Sequence, residues 1–221
     1  MNQAATERPE AAQSERTQSE TNPPESRRLT DFAQVEAIYR TRLKFDFARS
    51  ERRPLTAIRR AWKRDAYVCY GLFNGGALLG YAFFVREGGS LLLDYFAIDA
   101  GHRGTGLGSV FLRQLTVCLQ EARCVVAEVE DPDSATDAEE RHIRNRRLGF
   151  YLRNGCRETE LTASVFGVAY RILELETGTA HTARELGDIY TAMYRITLPG
   201  VFFRTQFRLH PFKEPDEDAI Q

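Results

Sequence analysis

The residues best suited to chemistry lie between Leu92 and Ser109, where an apolar run ending Phe96-Ala97-Ile98 gives way to Arg103-Gly104-Thr105-Gly106-Leu107-Gly108-Ser109. A strand that ends in a glycine loop and opens a helix aims unpaired amide N–H groups at an anion. Glycine at 104, 106 and 108 lets backbone press against a phosphate without Cβ atoms in the way, and the dipole of the following helix favours negative charge there. The implied ligand is a nucleotide-like pyrophosphate. Spacing narrows the choice. A P-loop needs Lys in register after its second glycine, and neither Gly104 nor Gly106 supplies that register. A dinucleotide fingerprint needs glycine at its sixth position, which is Ser109 counted from Gly104 and the bulky Phe111 counted from Gly106.

Acids form the second group of candidates. Period-two alternation puts Cys124, Val126, Glu128 and Glu130 on one strand face, and the same count puts Asp94 on a face with Phe96 and Ile98. A carboxylate on an otherwise apolar strand costs desolvation unless it is paired or exposed, and that cost raises its pKa towards the range of a general base. An ion pair with an arginine from 141 to 147 explains such an acid equally well, and Glu130 could simply cap the strand end.

The elements that must position these groups follow from periodicity. Residues 1–28 carry no large apolar side chain after Met1 and read as a disordered tail. Helical spacing begins at Asp31 with Phe32, Val35, Ile38 and Tyr39, and a second helix over 55–62 follows Pro54; the arginines around them read as a solvated face. Runs at 67–73 and 77–85 joined through Asn74-Gly75-Gly76 predict a hairpin, and 90–98 adds a third strand. A helix over 107–122, a strand over 124–130, a helix over 138–153 and strands at 156–162 and 166–175 complete a mixed α/β sheet whose strand–helix–strand unit implies one parallel pair. Farther on, 182–196 reads as a helix and 201–209 as a strand.

The 221 residues, 43% hydrophobic, suffice for one substantial domain with appendages. A net charge of -1 argues against nucleic acid as a partner, and no apolar run approaches a membrane span. Cys69, Cys118, Cys124 and Cys156 lack Cys-x-x-Cys spacing, and His102, His142, His181 and His210 form no ligand pattern. No metal is expected, each histidine reads as a surface or cap residue, and reduced thiols without a cleavable leader point to the cytoplasm.

Arg103-Gly104-Thr105-Gly106-Leu107-Gly108 resembles the Arg/Gln-x-x-Gly-x-Gly/Ala signature of the GNAT superfamily of acyl-CoA-dependent N-acetyltransferases. Tyr151, four residues before Gly155, resembles that family's Tyr-x-x-x-Gly-Phe ending, with Cys156 in place of the Phe. The resemblance spans roughly 29–176 and identifies a single-domain member of the bacterial type, with 177–221 as an extension packing on the domain or a partner. It implies a mostly antiparallel sheet with a parallel pair splayed at the cofactor site, and acetyl-CoA as cosubstrate. It further implies that Phe96, Ala97 and Ile98 line the pantetheine arm while Arg103 through Ser109, with Asn145, hold the cofactor. Tyr151 is then the general acid, Glu128 the first choice of base and Asp94 its rival; the first helices border the acceptor site. The expected reaction is direct transfer of acetyl to a primary amine of a small molecule or peptide, without a covalent enzyme intermediate. A non-catalytic acyl-CoA-binding sensor is the alternative, and the C-terminal segment could bring together a homodimer.

Overall fold

The computed structural model describes residues 23–178 and 180–211. An eight-stranded sheet in the order β1-β2-β3-β4-β5-β7-β6-β8 forms its middle layer. In chain order the elements are β1 (Glu25–Arg28), α1 (Phe32–Ile38), which continues through a π-helical turn into α2 (Lys44–Asp46), α3 (Leu55–Trp62), β2 (Tyr67–Asn74), β3 (Ala77–Glu87) and β4 (Ser90–Ile98). These are followed by α4 (Leu107–Cys118), β5 (Cys124–Glu130), α5 (Ala138–Arg153), β6 (Cys156–Val165), β7 (Val168–Leu175), α6 (Ala183–Thr197), α7 (Gly200–Gln206) and β8 (Phe207–Pro211). All neighbouring strands pair antiparallel except β4 and β5. Among the described residues no helix is long and apolar enough to cross a membrane.

The two sheet faces bury separate cores. Leu92, Tyr95, Val126 and Ile172 face α1, α3 and α6, while Leu91, Val125, Val129 and Leu173 face α4 and α5. The helices that cover them have local reasons to form. In α6 a capping box between Thr182 and Glu185 starts the helix, and Leu186, Ile189, Tyr190 and Met193 recur on one buried stripe. Each such side chain, sealed from water, contributes about 1.5–3 kcal/mol, so α6 is held as firmly as any element nearer the middle of the chain. In α5 the side chain of Asp137 accepts the Glu140 amide at 2.8 Å.

Three sequence expectations change. Residues 1–22 of the expected disordered tail lie outside the described residues, but Glu25–Arg28 is an edge strand on β2, and Ser26 donates from both N and Oγ to Gln114 Oε1. An edge strand needs a backbone ladder rather than large apolar side chains, which composition alone does not reveal. The expected strand over 201–209 is instead helical as far as Gln206. Its partner β6 ends at Val165 opposite Phe207, so earlier residues find no ladder and bond within a turn started at Pro199. Finally, α4 stops at Cys118 rather than 122, because the chain turns back and Arg123 N donates to Gly89 O to enter β5.

Candidate active site

β4 and β5 run parallel, yet only residues 90–92 pair with 124–126. Beyond that point β4 is paired solely with β3 and β5 solely with β7, so the strands part and open a gap in mid-sheet. The cause lies in β4. Phe83 pairs with Tyr95 and Phe84 with Leu93, which leaves Asp94 as an extra residue in a bulge. Past the bulge the Asp99 N–H reaches Leu79 O on the β3 side at 2.8 Å, so by alternation the amides of Phe96 and Ile98 face the gap.

At the end of β4 the chain makes the turn that precedes α4. Gly104 and Gly106 have φ of +79° and +86°, and a Cβ at either would meet nothing within 4 Å. Backbone conformation, not space, therefore demands glycine there. Gly108 is different, because its Cβ would lie 3.3 Å from the Phe150 ring, so the missing side chain there serves the close approach of α4 to α5. Among the described residues the amides of Gly104, Thr105, Gly106, Leu107 and Gly108 have no hydrogen-bond partner, and no side chain caps the helix; Ser109 N returns to Gly106 O at 3.0 Å. Successive free donors at a helix N-terminus fit the oxygens of a diphosphate. The Thr105 hydroxyl is turned inward to His102 O at 2.7 Å, and Arg103 donates to Ile98 O at 3.1 Å and to Asp46 at 2.6 Å. Arg103 therefore ties α2 to the loop here. Asn145 lines an open cavity of about 490 Å³ at the start of α5 with Asp137, Arg141 and His142.

Tyr151 sits on the α4–α5 face, its ring centroid 6.4 Å from that of Phe96 on the free stretch of β4. Burial pushes its phenol well above the ordinary value, and its hydroxyl has no hydrogen-bond partner among the described residues. It stays protonated at any working pH. On the opposite face Glu128 Oε1 accepts the hydroxyls of Tyr190 at 2.5 Å and Tyr194 at 2.6 Å, both from α6, while Oε2 has no partner among the described residues. Burial pushes the Glu128 carboxyl up, the two hydroxyl bonds pull it back, and the charge of Asp94 adds to the rise while Arg53 opposes it. Glu130 takes the ion pair that sequence left open between the two acids, meeting Arg147 at 3.1 Å and Arg144 at 3.7 Å.

The sequence model of the acetyltransferase (GNAT) family matches residues 33–150, more than half of the 221-residue chain. The chain belongs to the GNAT acetyltransferase family. Its GNAT fold is repeated in a solved protein from Bacteroides thetaiotaomicron described as a GNAT-family acetyltransferase, 18% identical, with a TM-score of 0.64 over 81% of this chain and 98% of that one. The ribosomal-protein-S18-alanine N-acetyltransferase from Escherichia coli shares 16% identity and a TM-score of 0.51 over 73% of this chain and 98% of its own. A spermidine N-acetyltransferase chimera from Vibrio cholerae and hSSAT shares 10% and a TM-score of 0.51 over 70% and 95%. Among curated proteins none matches the sequence. Acyl transfer from acetyl-CoA is the chemistry of the GNAT family, and the splayed parallel pair expected from the sequence is present.

One placement on this GNAT scaffold must be corrected. Asp94 does not share the face of Phe96 and Ile98. The bulge resets the alternation, and Asp94 points instead to the α6 side, where it accepts both Arg53 Nε at 2.8 and 2.9 Å and the Tyr67 hydroxyl. Period-two counting fails across any inserted residue. Sequence reasoning also missed Arg53, Tyr190 and Tyr194. Arg53 sits among arginines read as a solvated face, and the two tyrosines, four residues apart on an amphipathic helix, look like core. The four-residue spacing that turns both hydroxyls to one point was the only available signal.

A further cluster owes nothing to spacing. Cys124, Glu174 and His181 converge, and His181, expected as a surface or cap residue, is only 13% exposed. Glu174 accepts the His181 ring at 2.6 Å, the His181 amide at 3.3 Å, the Cys124 thiol at 3.5 Å and the Arg157 guanidinium. With its oxygens engaged in this way and a cation already beside them, the cluster clamps the segment leading into α6.

Proposed function

We propose that this chain passes an acetyl group from acetyl-CoA to a primary amine by direct attack within a ternary complex. The observation that carries this reading is the parting of β4 and β5, with an unbonded carboxylate oxygen of Glu128 on one face and the unbonded Tyr151 hydroxyl on the other. The free amides from Gly104 to Gly108 would take the pyrophosphate, and the gap would admit the pantetheine arm alongside Phe96, Ala97 and Ile98. Arg103 and Ser109 flank that grip, and Asn145 stands near it as a secondary contact.

The bonds balance simply. The amine nitrogen attacks the thioester carbonyl, whose oxygen draws on a β4 amide at Phe96 or Ile98, and the C–S bond breaks. Glu128 accepts the proton lost by nitrogen, and Tyr151 gives one to the departing sulfur; solvent then returns the proton from Glu128 to Tyr151. A carboxyl held above its ordinary range is a stronger base once ionised, which suits removal of an amine proton. Cysteine has no part in this chemistry. Of the four thiols, Cys69, Cys124 and Cys156 are buried, and burial pushes Cys124 and Cys156 up to about 12. Free thiols accord with a cytoplasmic setting.

Calorimetry with acetyl-CoA tests the site. Gly106→Trp places a large side chain where φ is positive, amid five amides without a partner among the described residues, so affinity should fall at least roughly tenfold; undiminished affinity would remove the loop from cofactor binding. Thiol release separates enzyme from sensor. Free CoA should appear only when an amine is added, whereas tight binding without turnover across many amines would mark a binding module.

A further inference from the structure

Arg53 is fixed with unusual completeness for a loop residue. Its amide donates to the Tyr95 hydroxyl at 2.7 Å, its carbonyl accepts the Tyr39 hydroxyl at 3.0 Å, and its Nε donates to both oxygens of Asp94. Main chain and inner nitrogen are thus clamped. The outer nitrogens are not. Nη1 and Nη2 have no hydrogen-bond partner among the described residues, and the side chain keeps 21% of its exposure. An arginine whose Nε alone is used presents a planar fork of four N–H donors in fixed orientation, a shape that matches a carboxylate bidentately.

The fork stands on the same side of the gap as Glu128. The last pair between β4 and β5 is Leu92 with Val126, so Asp94 and Glu128 each lie two residues beyond it on the parting strands, and both turn to the α6 side, Asp94 to Arg53 and Tyr67 and Glu128 to Tyr190 and Tyr194. Yet Arg53 and Glu128 make no ion pair: Glu128 spends Oε1 on two tyrosines, and Arg53 spends Nε on Asp94. One side of the gap therefore offers an anionic oxygen and, apart from it, a cationic fork, neither with a partner among the described residues. An acceptor that brings only an amine leaves the fork without a partner once water is expelled, and a polyamine sets a second cation against it.

Resting on the acyl-transfer reading above, we infer that the acceptor is an amino acid or similar amino carboxylic acid, its amine at Glu128 Oε2 and its carboxylate on the Nη1–Nη2 fork of Arg53. Arg53 is then the residue that selects the substrate class. A peptide N-terminus, whose first carboxylate lies farther off, does not satisfy both groups at once.

The test uses the full chain and follows CoA thiol release with free L-amino acids, their carboxamides and spermidine. For the best amino acid, kcat/KM should exceed that of its own carboxamide by roughly 10- to 100-fold, as expected for a charge-assisted hydrogen bond, with most of the difference in KM. Arg53→Lys keeps a positive charge beside Asp94 but loses the fork, so it should cut that ratio to about fivefold or less while acetyl-CoA affinity holds. If Arg53→Lys does not fold, the wild-type ratio decides alone. Carboxamides or spermidine used as well as the acids, or a ratio that survives Arg53→Lys, would overturn the inference and leave acyl transfer standing. No release with any amine, despite acetyl-CoA binding, would sink both.

Discussion

On the α4–α5 side, the gap between β4 and β5 meets main chain: free amides of the turn before α4, with aromatic rings of Phe96, Phe150 and Tyr151 behind them. On the α6 side it meets side chains held by other side chains: Asp94 by Arg53 and Tyr67, Glu128 by Tyr190 and Tyr194. The difference has a physical logic. A diphosphate looks the same in every molecule that carries it, so a turn of fixed backbone geometry suffices. On the reading proposed above the α6 side takes the acceptor, and a ligand that differs between enzymes is suited by side chains that can be exchanged without disturbing the sheet.

This contrast can be broken most forcefully at Glu128. Glu128→Gln should lower kcat/KM by about 10²–10³, the usual scale of general-base loss, while acetyl-CoA affinity stays within about threefold. The same substitution should raise Tm. The folded carboxyl titrates above its unfolded value, so the wild-type fold loses stability as pH climbs from the unfolded value through the raised one. The gain in Tm should accordingly be larger at pH 8 than at pH 4. A drop in acetyl-CoA affinity equal to the drop in turnover would erase the distinction between the two sides.

A smaller effect is expected across the gap. Tyr151→Phe removes a hydroxyl that bonds to no described residue, so melting should stay within about 2 °C while kcat falls roughly 10- to 100-fold. Unchanged turnover would return Tyr151 to the core as a packing residue.

The mildest perturbation sharpens the comparison further. Tyr190→Phe with Tyr194→Phe deletes the two bonds that pull the Glu128 carboxyl back, so its pKa should rise further and the acid limb of kcat/KM should move up by about one pH unit. Activity should fall on the acid side of the profile and recover as pH rises. A limb that does not move would place the base elsewhere.

Much of the proposed cofactor half was legible in the chain alone, because the positive φ of Gly104 and Gly106, the strand before them and the helix that carries Tyr151 all follow from local geometry. Strands β2 to β5 and helix α5 likewise stand within two residues of their expected bounds, although the bulge in β4 breaks its alternation. At Gly108 the lack of a side chain answers to packing on Phe150, which is invisible in a motif. The acceptor half resisted. Arg53 reaches Asp94 across 41 residues, and Tyr190 and Tyr194 reach Glu128 across 62 and 66, from a helix beyond the 33–150 match to the family.

The sequence by itself determined most of the elements between α1 and α6, the glycine turn and the family, because each depends on neighbours a few residues away. Only the tertiary structure decided which way Asp94 faces, which acid keeps an unbonded oxygen and which arginine turns inward. One bulged residue in β4 and one amphipathic helix folded back over the sheet settle all three, and both act through contacts that no local pattern encodes.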